Sequence, residues 1–194
     1  MIIGVLALQG GVAEHEKVLR QLGAETRKVR RPEHLQGLDG IVLPGGESTT
    51  QSTLLRMEGL DGPLADAITA GLPVYGTCAG MILLATTVLD TREDAVRLGA
   101  LDAVVRRNAF GRQIDSFEAD LDFTGIDDPV HAVFIRAPQV TEVGPDVEVL
   151  ARAPHGEIVA VRQGHVMATS FHPECQDGEV RVHELFLGLC ADRA

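Results

Sequence analysis

The chain opens on an unbroken apolar run over residues 2–8, with the first polar side chain at Gln9. A short run without alternation predicts a strand covered on both faces. The period then lengthens. Over residues 12–22, Val18, Leu19 and Leu22 share one helical face, and Gly23 supplies a stop. Within that helix Glu14-His15-Glu16 reads as the solvated side. Residues 40–43 predict a second strand, closed by Pro44-Gly45-Gly46. Helical patterns follow through Leu54-Leu55 and over residues 63–70. Residues 73–76 predict a third strand, with a helix beginning near Ala79.

The second half is strand-rich. Residues 117–121 alternate with period two, residues 147–150, 158–161 and 166–171 read as further strands, and an amphipathic helix carrying Val182, Leu185, Phe186 and Leu189 closes the chain. Strands alternating with helices predict an α/β fold: a three-layer, mixed, mainly parallel sheet with flanking helices. At 194 residues the chain is expected to form a single domain over 1–194.

Composition narrows the function. Seventeen basic and 28 acidic residues leave a formal net charge of −11, which argues against nucleic acid or an anionic membrane as partner. Six Phe, one Tyr and no Trp offer no stacking platform for single strands. The N-terminus lacks a basic region before its apolar run, and the uncharged stretch 81–89 is far shorter than the ~20 residues a bilayer needs. Cys78, Cys175 and Cys190 are an odd number at wide spacing, with no C-x-x-C pair. A cytoplasmic protein is expected. The seven histidines are scattered without an H-E-x-x-H, so neither metal nor cofactor is expected.

Three loops carry candidate chemistry. Gly76-Thr77-Cys78-Ala79-Gly80 has the G-x-nucleophile-x-G form of a nucleophile elbow, with a strand before it and a helix after. The glycines permit a tight turn, the helix N-terminus favours thiolate, and the Ala79 N–H is left to face an oxyanion. An isolated cysteine in such a turn is as readily a small buried hydrophobe. His172-Pro173-Glu174 follows another strand; an extended segment puts residues i and i+2 on one side, so Glu174 reaches and orients the His172 imidazole. Alone, this tripeptide would read as a strand end with a surface acid. Leu43-Pro44-Gly45-Gly46-Glu47-Ser48-Thr49 ends a third strand. Its glycines allow close backbone approach, with Gly46 N–H as second oxyanion donor; the bland alternative is a helix entry capped by Ser48. The segment lacks the lysine of a phosphate loop, and the chain has no G-x-G. All three loops belong at C-terminal strand ends, where open α/β sheets bind ligands.

These residues resemble the class I, triad-type glutamine amidotransferases, a flavodoxin-like fold. Leu8-Gln9-Gly10, residues 44–49, the stretch 107–118 and Phe134-Ile135-Arg136-Ala137-Pro138 are further similar to the glutaminase subunits of pyridoxal 5′-phosphate synthase, over nearly the whole chain. The resemblance implies hydrolysis of L-glutamine to glutamate and ammonia through a cysteine thioester. Cys78 would attack, His172 shuttle the proton, Glu174 hold His172, and the Gly46 and Ala79 amides stabilise the oxyanion. Gly46, Glu47, Ser48, Arg107, Ile135 and Arg136 would bind glutamine, arginine suiting its carboxylate and an acid its ammonium. Arg106, beside Arg107, competes for that role. Gln9 resembles a residue near the oxyanion loop and partner interface, tied to activation. The implied partner is the synthase subunit of a hetero-oligomeric complex, which consumes the ammonia. Other readings are a glutaminase serving another amidotransferase, a γ-glutamyl hydrolase, or a non-catalytic regulatory subunit on the same fold.

Overall fold

The computed structural model describes residues 1–107 and 117–192. Segment 108–116, the middle of the stretch that carries part of the family resemblance, lies outside the described residues. In chain order the elements are β1 (Ile2–Leu6), α1 (Val12–Gln21), β2 (Glu25–Val29), β3 (Gly40–Leu43), α2 (Ser48–Met57), α3 (Asp61–Thr69), β4 (Val74–Thr77) and α4 (Ala79–Leu84). They continue with β5 (Ala85–Leu89), β6 (Leu101–Arg106), β7 (Phe117–Phe123), β8 (Ile126–Phe134), β9 (Gln139–Val143), β10 (Glu148–Arg152), β11 (Ile158–Gln163), β12 (Val166–Thr169) and α5 (Arg181–Ala191).

The strands form one mixed sheet in the order β2-β1-β3-β4-β12-β11-β10-β7-β8. From β2 to β12 every neighbour is parallel. From β12 to β8 every neighbour is antiparallel. A side branch runs β5-β6-β9, with β9 joined to β11.

Alternation along the central strands divides the core into two layers. Ile41 and Leu43 face a cluster with Leu55, Leu64 and Leu84, from α2, α3 and α4. Val42, Tyr75 and Ile3 face the opposite cluster, with Leu19 of α1 and Val182 and Phe186 of α5. Helices therefore cover both faces, which is why β3 and β4 are buried at every position. Among the described residues no helix is long and apolar enough to cross a membrane.

The register decides what the sheet presents at its edge. Thr77 pairs with Thr169, and Leu43 with Gly76. The segments that leave β3, β4 and β12 thus emerge side by side, although the last comes from almost a hundred residues downstream.

Candidate active site

Cys78 sits between β4 and α4 with φ 47° and ψ −99°. Such a backbone costs of order 1–3 kcal/mol and persists only where its surroundings enforce it. Three contacts do so. The Cys78 N–H donates to Thr169 O at 2.8 Å, locking the bend to β12. A Cβ on Gly76 would stand 2.6 Å from the Gly80 carbonyl carbon, and one on Gly80 would overlap the Leu43 carbonyl oxygen. Only glycine fits at either flank. Ala79 is the first residue of α4, where the helix itself offers its N–H no partner.

The loop after β3 presses against this bend. A Cβ on Gly45 would overlap His172 Cε1 and lie 3.3 Å from Cys78 Cβ. The Gly45 N–H donates to Thr77 Oγ1 at 2.8 Å, and Gly11 N–H donates to Gly45 O at 3.2 Å. Gln9 holds the next residues: its Oε1 accepts the Glu47 N–H at 2.8 Å, in contact with Gly46. Gln51 Nε2 donates to both Gln9 O and Pro44 O, each at 3.0 Å. The cap of α2 is Glu47 and not Ser48. Its carboxylate accepts the N–H of Thr49 at 3.1 Å and of Thr50 at 2.7 Å, a span the shorter serine is not needed for. Burial pushes the Glu47 carboxyl up, but these hydrogen bonds outweigh it and leave its pKa lowered.

After β12 the chain turns through Pro173–Cys175 and returns Glu174 to His172, with Nδ1 2.8 Å from Oε1. Burial opposes protonation of His172. Its side-chain hydrogen bonds to Cys78 and Glu174 outweigh that and raise the imidazole to about 11. Burial likewise opposes ionisation of Glu174. The His15 and His172 side chains that bond to it hold the carboxyl well below the ordinary carboxylate range. The site thus favours an imidazolium between a carboxylate and a sulfur, an arrangement suited to nucleophilic attack with proton return.

These groups line a cavity of about 440 Å³. Gly46, Glu47, Ser48, Cys78, His172 and Glu174 lie on its wall, as do Arg107, Ile135 and Arg136. Arg107 Nη2 reaches Glu47 Oε1 at 3.2 Å. Arg106 instead pairs outward with Asp90 at 3.7 Å, which separates the two adjacent arginines. Arg136 adopts φ 47°, and Ile135 is an exposed apolar side chain. Gln9 and Ala79 stand behind the wall, Gln9 acting through Glu47. Cys175 also lines the cavity. Its thiol is pushed up by burial and by the Glu174 charge. Among the described residues, His172, Glu174 and Cys175 are one group whose potential metal-donor atoms lie within 4.8 Å of one another. Two of the three are already engaged with each other.

One expectation needs correction. His15 and Glu16 are buried, at 0% and 4% exposure, and not on a wet helix face. Glu16 is paired with Arg20 at 2.9 Å and Lys28 at 3.5 Å. His15 reaches Glu174 Oε1 at 3.4 Å, Thr77 Oγ1 at 3.2 Å and His183 at 2.9 Å. The signal was present: His15 precedes Val18 by three positions and Leu19 by four, which places it on the apolar stripe despite its charged neighbours.

Comparison with known proteins matches residues 5–192 to the SNO glutamine amidotransferase family. The chain belongs to that family. It is 64% identical over 188 residues to the pyridoxal 5′-phosphate synthase subunit PdxT of Mycobacteroides abscessus, covering 97% of this chain and 96% of that protein. It is 59% identical over 193 residues to the subunit of the same name from Corynebacterium jeikeium, covering 100% and 98%. A solved glutamine amidotransferase superposes with a TM-score of 0.92 at 47% identity, over 98% of this chain and 100% of that one. A putative GMP synthase component from Thermoplasma acidophilum, at 20% identity and TM-score 0.71 over 100% and 95%, shares the fold.

Proposed function

We propose that this chain is a glutaminase that hydrolyses L-glutamine to L-glutamate and ammonia and delivers the ammonia to the synthase subunit of pyridoxal 5′-phosphate synthase, in the cytoplasm, with the chain 1–194 acting as one domain. The observation that carries the reading is the side-by-side exit of β4 and β12, which brings the bent Cys78 to the same cavity as a His172 that Glu174 orients. The family and the full-length likeness to proteins named PdxT support the substrate and the partner.

In this reading Cys78 Sγ attacks the side-chain amide carbon of glutamine. The oxygen that gains charge faces the N–H groups of Gly46 and Ala79, as an oxyanion site requires. The tetrahedral adduct collapses as His172 gives its proton to the departing nitrogen, releasing ammonia and leaving a glutamyl thioester. Water then attacks the thioester, His172 takes its proton, and collapse expels the sulfur and frees glutamate. Glu174 stays ionised and fixes the ring, as the third member of such triads does. Arg107, Arg136 and the Ile135 backbone, with Glu47 and Ser48, receive the amino-acid end of the substrate. Gln9 sets the loop that carries Gly46.

Cys78→Ala tests the assignment. Glutamate release should vanish while the melting temperature and the ability to assemble with the synthase subunit persist. Undiminished glutamate release by that variant would refute it. Release accelerated by another synthase, and not by the pyridoxal phosphate subunit, would redirect the ammonia.

A further inference from the structure

Behind Glu174 lies a polar cluster that the proposed chemistry does not use. It consists of His15 from α1, Thr77 from β4 and His183 from α5, all at 0% exposure, with the Tyr75 ring edge-on to both imidazoles. The Tyr75 hydroxyl is turned away, 3.0 Å from Thr169 Oγ1. The cluster is therefore shut off from bulk solvent, and its hydrogen bonds are made chiefly within the protein.

Counting donors and lone pairs assigns every proton. A threonine hydroxyl has one hydrogen and two acceptor sites. The Gly45 N–H, which only donates, takes one site of Thr77 Oγ1 at 2.8 Å. Glu174 Oε1, which only accepts, lies 3.5 Å away on the hydroxyl's donor side. The remaining acceptor site faces His15 Nε2 at 3.2 Å, so that nitrogen carries a proton, which it also directs to Glu174 Oε1 at 3.4 Å. His15 Nδ1 is then the acceptor, and His183 Nε2–H donates to it at 2.9 Å. That leaves His183 Nδ1 without a proton, and it is the ring nitrogen that finds no partner among the described residues. The reverse assignment would bury a donor there with no acceptor among the described residues, which native structures rarely tolerate. Burial pushes His183 down to about 3, in keeping with a neutral ring.

We infer that His15 is a positioning residue of the glutaminase site: with Thr77 it holds the Glu174 carboxylate through an Nε2–H donor, and His183 fixes its tautomer. The inference rests on the reading of Cys78, His172 and Glu174 as a triad. Glu174 Oε2 has no partner among the described residues, so Oε1 alone anchors the carboxylate. The relay also reaches the oxyanion loop, because the Thr77 oxygen that faces His15 accepts the Gly45 N–H. Loss of the His15 donor would let Glu174 turn, and His172 with it. Misplacement on the ångström scale costs up to about a hundredfold in rate.

The test combines ¹⁵N NMR of histidine-labelled wild-type protein with kinetics of His15→Phe and His15→Gln, assayed with the synthase subunit present. The expected spectrum shows His15 protonated at Nε2 and bare at Nδ1. His15→Phe, which keeps a flat aromatic ring and removes both bonds, should lose kcat by about 10- to 100-fold with KM within about twofold. His15→Gln, which can donate and accept at the same reach, should recover to within about threefold of wild type. A His15 proton at Nδ1 overturns the inference. So does a His15→Phe variant with wild-type kcat, or one whose loss lies in KM. If His15→Phe does not fold, the spectrum and His15→Gln decide; a glutamine variant that folds yet falls about tenfold or more overturns it. Labelling of wild-type Cys78 by a γ-diazoketone analogue of glutamine checks the triad reading separately. Its failure would remove the glutaminase assignment while leaving the tautomer result standing.

Discussion

Gly80 lies directly against the carbonyl oxygen of Leu43, with no space for a methyl group between them. The contact joins the first turn of α4 to the end of β3 and so sets the spacing between the Cys78 bend and the loop bearing Gly46. Alanine in a helix is ordinarily favoured over glycine by roughly 0.5–1 kcal/mol. Here the obstacle is backbone, which cannot rotate away, and overpacking of this kind costs about 1–3 kcal/mol. Gly80→Ala is therefore predicted to lower the melting temperature by roughly 2–10 °C and to reduce kcat, read by thermal unfolding and steady-state kinetics. A variant as stable and active as wild type would show that the spacing is not set here.

Glu47 has two tasks. It caps α2 through Thr49 and Thr50, and it pairs with Arg107 across the cavity. Its side chain is about half exposed, so the cap contributes at the lower end of the usual range, about 0.5–1 kcal/mol. Glu47→Ala should cost that much in a urea melt and should raise KM for glutamine more than it lowers kcat, because Arg107 loses the group that aims it. A loss confined to kcat would remove Glu47 from substrate binding.

The buried ionisable groups give stability a defined pH dependence. His183, depressed to about 3, resists a proton that the unfolded chain accepts near 6.5, so folding loses stability as pH falls from about 6.5 toward 3. Glu174, also depressed, adds to the loss once pH drops below the usual carboxylate range. His172 acts in the opposite direction. Raised to about 11, it contributes fully below about 6.5 and loses its contribution as pH climbs through that value toward 11. Urea melts across about pH 4–7 should show His183→Phe with a shallower slope than wild type, by up to ~1.4 kcal/mol per pH unit. The slope carries the test, since the variant also changes the absolute level. Identical slopes would mean that His183 titrates normally.

Arg136 holds a left-handed backbone at the cavity wall, a conformation that costs a non-glycine residue roughly 1–2 kcal/mol. Arg136→Gly should relieve that backbone cost, while the loss of the guanidinium raises KM for glutamine severalfold, read by steady-state kinetics. A variant with unchanged KM would remove Arg136 from substrate binding.

The parts of the fold legible in the sequence were those with strong periodicity. Gly40–Leu43 appears with the expected bounds, and α1 and α5 fall where Val18, Leu19, Val182 and Phe186 placed them. β2, Glu25-Thr-Arg-Lys-Val29, gave no signal because an edge strand with four polar residues has no apolar run to read. β8 contains Pro129 and two aspartates, and its inward residues Val130, Ala132 and Phe134 alternate only in its second half. At the site, the loops were legible from glycine and proline punctuation. The layer behind them was not. His15 and His183 are joined only by the packing of the first and last helices on one face of the sheet, a relation 168 positions apart. Likewise, Arg107 and Arg106 could not be told apart until β6 had a direction.

The central claim is that Cys78 carries the glutamyl group during turnover. Acid quenching of the complex during glutamine hydrolysis, followed by peptide mass spectrometry, reads it directly. A glutamyl adduct on the peptide bearing Cys78, present in wild type and gone in Cys78→Ala, is the predicted result. An adduct on Cys175 or Cys190, or brisk glutamate release with no acylated cysteine at any quench time, would contradict it.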